Sequence, residues 1–472
     1  LATNERIDFS KSKSGQNAVK GPLYYVSEDQ DVAFEQRRRK YNQYWKWYLG
    51  KHWIFEGKEG ESQLTVNFVR AFVDKVSFAL IGNGLEFNLP KVNESLGEKA
   101  LIKAWGSDSF RGLRLYELVQ EGGVTGDSWL KIWFDEVSQK ITLNVVDGRL
   151  VDVVWSPGDR ERLIWVKIEF PIYEFNTETG ERVRRKYKEI FYEDKIELYL
   201  DDELKESLEN PIMEIPLVHI SNLPISGVFW GLSDMINLID LNLEYNEKIS
   251  DVSDTIAYYG APITVIKGVS FKNVIRSAGR VWSNIPTDGD VKFLNLAGNL
   301  SSSIKYLELL KKSLHEMSNV PEATLGQMQP ISNTSAAALH VQYMPLVERM
   351  KLKRLTYGRG LERTNRLILK ILETKKKIPK LKDGDDFEAY DTSVVFKDPL
   401  PKDRITLLQE LEMELSLGLI DREGALSRLG IKNISELLAR IDKEHKTQLE
   451  QEASISGRGG TFADMFKGKV GA

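Results

Sequence analysis

Apolar side chains at Met235, Ile239, Tyr245, Ile249, Val252, Ile256 and Tyr259 recur on a helical period, with Asn242 the one polar break. That pattern predicts an amphipathic helix over 232–259, stopped by Gly260-Ala261-Pro262 and about 40 Å long. Its other side carries Asp240, Glu244, Glu247, Asp251 and Asp254, again at steps of three and four. Like charges at that spacing oppose a lone helix. The stripe reads either as a solvated helix face or as a surface that repels something negative.

A second helix is predicted from Leu300, with Ser301 to Ser303 as cap candidates and Ile304, Leu307, Leu310, Leu314 and Met317 as its stripe, ending at Pro321. The segment Gln327, Met328, Gln329, Pro330, Ile331, Ser332, Asn333 and Thr334 then reads as a polar loop. A third helical pattern runs from Thr334 or Ser335 to about Thr374, and Pro345 inside it predicts a kink. Beyond that proline the pattern is basic, with eleven Lys or Arg against three Glu between 334 and 377.

Before this block, Phe34, Tyr41, Trp45 and Tyr48 share a helical face interleaved with Arg37, Arg38, Arg39 and Lys40. Aromatics at that spacing are ordinary packing anchors, although aromatics among basic residues also suit base stacking. Helices follow over 67–81, 95–105 and 113–121, the last closed by Gly122-Gly123. Strands are expected at 129–134, 141–146, 151–155, 163–170, 183–191 and 195–200, with turns at Asp147-Gly148, Pro157-Gly158 and Thr179-Gly180. Between the first two central helices, 263–266, 280–282 and 291–294 read as short strands around a small helix near 271–277. Residues 393–396 read as a strand, followed by helices at 403–417, 421–429 and 434–451 and a Gly-rich tail.

Composition narrows the chemistry. The 472 residues exceed one ordinary core, and 42% hydrophobic with 28% charged content describes a folded chain. A net charge of −4 argues against a protein that grips phosphates generally. The absence of cysteine excludes disulfides, thiolate metal sites and cysteine nucleophiles. No apolar run reaches the roughly 20 residues of a membrane span, and no signal core stands at the N-terminus, where Leu1 in place of Met predicts a processed or trimmed chain. His52, His219, His315, His340 and His445 lack metal-ligand spacing, and neither a phosphate loop nor a nucleophile elbow occurs. Asp127, Asp135, Asp147 and Asp152 are the carboxylates a metal-dependent nuclease would have to use.

The order of these pieces resembles the portal, or head-to-tail connector, proteins of tailed double-stranded DNA phages, and most closely the branch of long-tailed phages of Gram-positive hosts. RRRKYNQYWKWYLGKHWI, EGGVTGDSWLKIWFDE with ITLNVVDGRLVDVVW, and SGVFWGLSDMINLIDLNLEYNEKISDVSDTIAYYGAPITVIKGV carry the likeness in the first half. SNVPEATLGQMQPISNTSAAALHVQYMPL and VVFKDPLPKDRITLLQELEMELSLGLIDREGALSRLG carry it in the second.

The resemblance implies an α+β portal fold: an N-terminal arm (1–30), a wing (31–225), a stem helix (226–259), an α/β clip (260–299), a second stem helix (300–326) and a tunnel loop (327–334). A kinked tunnel helix with a return to the wing (335–402), a helical crown (403–453) and a flexible tail (454–472) complete it. It further implies a non-enzymatic, cofactor-free ring of about twelve subunits at one capsid vertex, assembled in the host cytoplasm. Double-stranded DNA passes through the ring. Its expected partners are the terminase large subunit, the major capsid and scaffolding proteins and a head-completion adaptor, with no membrane. Gln327, Gln329, Pro330, Ile331, Ser332, Asn333 and Thr334 become DNA-facing candidates. Lys272, Arg276 and Arg280 become docking candidates on the clip. Arg349, Lys351, Lys353 and Arg354 become basic candidates on the tunnel helix, pairing with acidic groups across the ring or meeting phosphates. The alternatives are a metal-dependent nuclease and a nucleic-acid-binding scaffold that forms no ring.

Overall fold

The computed structural model describes residues 34–53, 61–82, 84–90, 93–106, 108–156, 158–175, 180–260, 264–267, 290–293, 300–325, 336–384, 388–397, 404–429, 431, 434, 437–444 and 447. The expected N-terminal arm, tunnel loop, tail, small helix at 271–277 and strand at 280–282 lie outside them. The chain divides into two units, 1–399 and 400–472.

The first unit is α+β with open antiparallel sheets. Helices α1 (Phe34–Tyr48) and α2 (Phe68–Ile81), strand β1 (Leu85–Asn88), and helices α3 (Glu94–Trp105) and α4 (Asp108–Thr125) come first. Eight strands follow: β2 (Asp127–Asp135), β3 (Lys140–Val146), β4 (Val151–Ser156), β5 (Asp159–Phe175), β6 (Arg182–Phe191), β7 (Lys195–Leu200), β8 (Glu203–Glu209) and β9 (Leu217–Ser221). Then come α5 (Ile239–Gly260), the short strands β10 (Thr264–Lys267) and β11 (Asp290–Phe293), α6 (Leu300–Ser318), α7 (Ala336–Thr374) and β12 (Ser393–Phe396). The second unit holds α8 (Arg404–Ser416) and α9 (Arg422–Arg428), the latter capped by Asp421 Oδ1 accepting from Gly424 N at 2.7 Å.

β2 organises the first unit. It pairs with β3 and β9 in a three-stranded sheet of order β3-β2-β9. Strand alternation sends Leu130, Ile132 and Phe134 into the main core with α2, α4 and α7 side chains such as Phe72, Leu118 and Ile368. Trp129 points the other way, into a second core with Val153, Val166, Phe191 and Phe229 beneath the five-stranded sheet β4-β5-β6-β7-β8. β12 returns to pair with β1, so the chain after α7 closes on the chain before α3.

Several expectations change for local reasons. Asp147-Gly148 makes no hairpin. Asp147 caps a 3-10 turn at Gly148–Leu150 by accepting from Arg149 N at 2.9 Å, and the chain passes from one sheet to the other. Gly122-Gly123 does not stop α4. A Cβ on Gly122 would sit 2.1 Å from the Tyr357 hydroxyl, so the glycine admits a close neighbour inside a continuous helix. α7 likewise meets β9 at Gly360, where a Cβ would lie 2.4 Å from the Ile220 side chain. Pro345 lies in the interior of α7, with helix on both sides of it as expected. α5 begins at Ile239 rather than 232, because Leu232 N and Asp234 N donate to Leu223 O and Gly123 O instead of to a helix ladder.

Candidate functional site

Three polar constellations tie the elements of the first unit together. The first lies just before α5. The Asp234 carboxylate is buried and accepts from Lys353 Nζ at 2.5 Å and Arg349 Nη2 at 2.9 Å, both on α7, and from Asn222 Nδ2 at 3.0 Å. Burial alone would raise this carboxyl, but the Lys353 and Arg349 charges outweigh it and hold it below its ordinary value. Arg349 also donates to Ser318 O at the end of α6 at 3.0 Å, so one cation bridges α6, α7 and the segment before α5. Ser233 Oγ lies 3.0 Å from Gly123 O and 2.7 Å from Val124 O, tying the same corner to α4.

The second constellation centres on Asp127, which has no exposed surface. It accepts from Tyr41 OH at 2.6 Å, His219 Nε2 at 2.7 Å and Gly231 N at 2.9 Å. His219 lies between the Trp129 and Phe229 rings, with centroids 4.6 and 4.4 Å away, and Trp155 extends the stack beyond Phe229 at 4.2 Å. Arg37 closes the group by donating to Val151 O at 2.7 Å and lying 3.8 Å over the Trp230 ring. The aromatic and basic N-terminal helix is therefore a packing element here, with Tyr41, Tyr44, Trp47 and Tyr48 buried.

The third is a ladder on α5. Asn242, Asn246, Ser250 and Asp254 stand four residues apart and take backbone N–H groups of the extended segment 61–67 and the start of α2. Asp254 accepts from Ser62 N at 3.1 Å, Ser250 Oγ from Leu64 N at 3.0 Å, and Asn246 Oδ1 from Val66 N at 2.9 Å. Asn242 Oδ1 accepts from Phe68 N at 3.0 Å, and its Nδ2 donates to Val66 O at 2.8 Å. Four helical residues rise about 6.0 Å and two extended residues about 6.6 Å, so alternate backbone N–H groups meet successive rungs. Asn246 Nδ2 also donates to His52 Nδ1 at 2.7 Å, while His52 Nε2 donates to Trp47 O at 2.9 Å. Burial lowers the pKa of this imidazole, in keeping with its neutral tautomer. Sequence reading missed the ladder. Asn242 alone looked like a lapse in the apolar stripe, but the four-residue spacing of Asn242, Asn246 and Ser250 was a visible signal.

The acidic stripe divides. Asp254 serves the ladder, Glu244 accepts from Tyr306 OH of α6 at 3.4 Å, and Asp251 pairs with Lys248 at 3.1 Å. Asp240, Glu247 and Asp251 are exposed. On α7, Lys353 has no exposed surface to offer a phosphate, and Arg354 donates to Lys397 O at 2.7 Å. Lys351 is exposed. Other cations of this stretch pair within the same chain: Arg359 with Glu161 at 2.7 Å, Lys370 with Glu214 at 2.5 Å, and Lys375 with Glu136. The loop candidates 327–334 and the clip candidates Lys272, Arg276 and Arg280 lie outside the described residues.

The nuclease carboxylates are each engaged elsewhere. Asp127 holds Tyr41 and His219, Asp147 pairs with Arg149 at 2.5 Å, Asp152 pairs with Lys167 at 2.9 Å, and Asp135 caps the turn at Val137 and Ser138. Among the described residues no group of three or more His, Cys, Asp or Glu could hold a metal ion, and no helix is long and apolar enough to cross a membrane.

No curated protein matches the chain. A solved chain titled "Neck of empty GTA particle computed with C6 symmetry" is similar over 77% of this chain and 90% of its own, at 14% identity and a TM-score of 0.47. The family described as "Phage portal protein, SPP1 Gp6-like" matches residues 31–451. With that match spanning helices, sheets and the first elements of the second unit, the chain belongs to the SPP1 Gp6-like phage portal proteins, a structural rather than a catalytic family.

Proposed function

We propose that the chain is one subunit of a portal: a ring of about twelve copies at a single capsid vertex, through which double-stranded DNA enters during packaging and leaves at ejection. The match of the family over residues 31–451 is the observation that carries this reading. Within it, 31–225 is the wing, α5 and α6 are the stem, 260–299 is the clip and 327–334 is the tunnel loop. The portion of α7 after Pro345 joins the loop to the wing, and α8 and α9 belong to the crown. The clip docks the terminase large subunit and later the head-completion adaptor, while the outer surface meets major capsid and scaffolding proteins. The motif likeness supports the branch of long-tailed phages of Gram-positive hosts, with assembly in the host cytoplasm and final residence in the virion.

The charge distribution suits a conduit. Each neutralised phosphate adds salt-dependent affinity and resists sliding. α7 is rich in cations, but many of them are paired inside the protomer, which leaves fewer to hold passing DNA. Of the basic tunnel-helix candidates, Lys351 is the exposed one, which supports it as a phosphate contact. Native mass measurement with negative-stain images tests the proposal. A ring of about a dozen copies with a central hole is expected, and a chain that stays monomeric alone and with its capsid and scaffolding proteins overturns it.

A further inference from the structure

β5 and β6 are longer than the strands beside them. β4 pairs with β5 only as far as Ile168, and β7 pairs with β6 only as far as Tyr187. From Pro171↔Lys186 to Phe175↔Arg182, five residue pairs continue with no strand on either side among the described residues. At about 3.4 Å per residue this makes a two-stranded arm of roughly 17 Å. Such a ribbon is marginal alone in water.

Opposed residues share a face, so one face of the arm carries Tyr173 with Arg184 and Phe175 with Arg182. Tyr173 is 65% exposed and Phe175 64%, and both arginines are exposed. Neither Arg182 nor Arg184 makes an ion pair among the described residues. On the opposite face Arg185 is already paired, with Glu174 and Asp201 each at 2.9 Å. The arm thus presents large exposed rings beside two exposed cations that make no ion pair among the described residues.

We infer that this arm is a strap between subunits: its Tyr173/Phe175 face lies on a neighbouring copy of the chain, and Arg182 and Arg184 pair with that copy's carboxylates. The inference rests on the ring reading. Charge complementarity names the occupant. The chain is net acidic at −4, and Asp240 and Glu247 of α5 and Glu206 and Glu209 of β8 are exposed without an ion pair among the described residues. The contact joins two different patches, so it is heterologous and passes from copy to copy, as ring closure requires.

The chain contains no cysteine, so Phe175→Cys provides a unique attachment point for a benzophenone maleimide. Irradiated rings are expected to give covalent multimers of the chain, with peptide mapping placing the link on a carboxylate-bearing segment of a second copy. Arg182→Glu with Arg184→Glu is expected to cut the ring fraction at least tenfold at equal protein concentration, with an unchanged unfolding curve. Wild-type rings combined with cross-links only to DNA or another protein, or with full ring formation by the double variant, overturn the strap and leave the portal reading standing. A wild-type chain that forms no ring overturns both.

Discussion

The Asp234 corner and the β5–β6 arm put charge to opposite uses. At the corner, one carboxylate takes two cations and an amide, all from its own chain, in a place with almost no solvent. At the arm, two guanidinium groups stand in solvent beside exposed aromatic rings. The corner needs nothing from outside to be complete. It fixes α5, α6 and α7 to one another within a single protomer. The arm has surface left over, as a piece meant for a neighbour would. The difference separates residues that set the protomer's shape from residues available to an assembly.

That comparison breaks first at Lys353. Lys353→Ala leaves a buried carboxylate with one cation fewer, and loss of about 3–5 kcal/mol in denaturant unfolding is expected. An unchanged midpoint would mean the corner is not the anchor described. Glu121 offers a second test. It lies buried in α4 and accepts from Gly148 N at 3.0 Å. Burial, reinforced by Asp147, pushes its pKa up to about 8 from 4.5. The folded state therefore holds a proton that the unfolded chain releases, so stability falls as pH rises from 4.5 to 8 and is level beyond. The fall is on the order of 5 kcal/mol. Glu121→Gln should remove that slope, as read by thermal melts across the range. Asn246→Ala takes an acceptor from Val66 N and a donor from His52, and a cost of about 1–2 kcal/mol is expected, with faster amide exchange at Val66. The smallest effect belongs to Lys351→Glu, which should leave protomer stability untouched and alter only DNA retention in filled particles. A drop in its melting temperature would place Lys351 with the corner instead.

Elements that repay local periodicity were readable from the chain. α6 and α7 fall close to their expected bounds because an apolar stripe and a proline or polar stop define each one. β8 was not readable: ELKESLE is an edge strand with almost every side chain exposed, so no core face marks it. β9 was missed because its partner β2 lies about ninety residues earlier in the chain, as Leu130↔Val218 shows. The α5 start was misplaced for the same reason, since its first polar residues bond to α4 and α7 rather than to a helix turn. The basic character of α7 was plain in the sequence, whereas its partners Asp234, Glu161, Glu214 and Glu136 are scattered over four other segments. Candidates at 327–334 and on the clip stand on resemblance alone.

The ladder on α5 works as a vernier. Its two scales differ by roughly 0.6 Å per rung, so three intervals accumulate roughly 2 Å, several times the roughly 0.5 Å spread of hydrogen-bond lengths. The mixture of Asn, Ser and Asp side-chain lengths takes up that difference over the four rungs. A vernier with so few graduations reads only one alignment. Sliding 61–67 by one residue turns carbonyls toward the acceptors, and sliding by two strands a rung at one end. The N-terminal segment is thus indexed against α5 to a single residue, and any tilt of that helix during DNA passage must carry the segment with it.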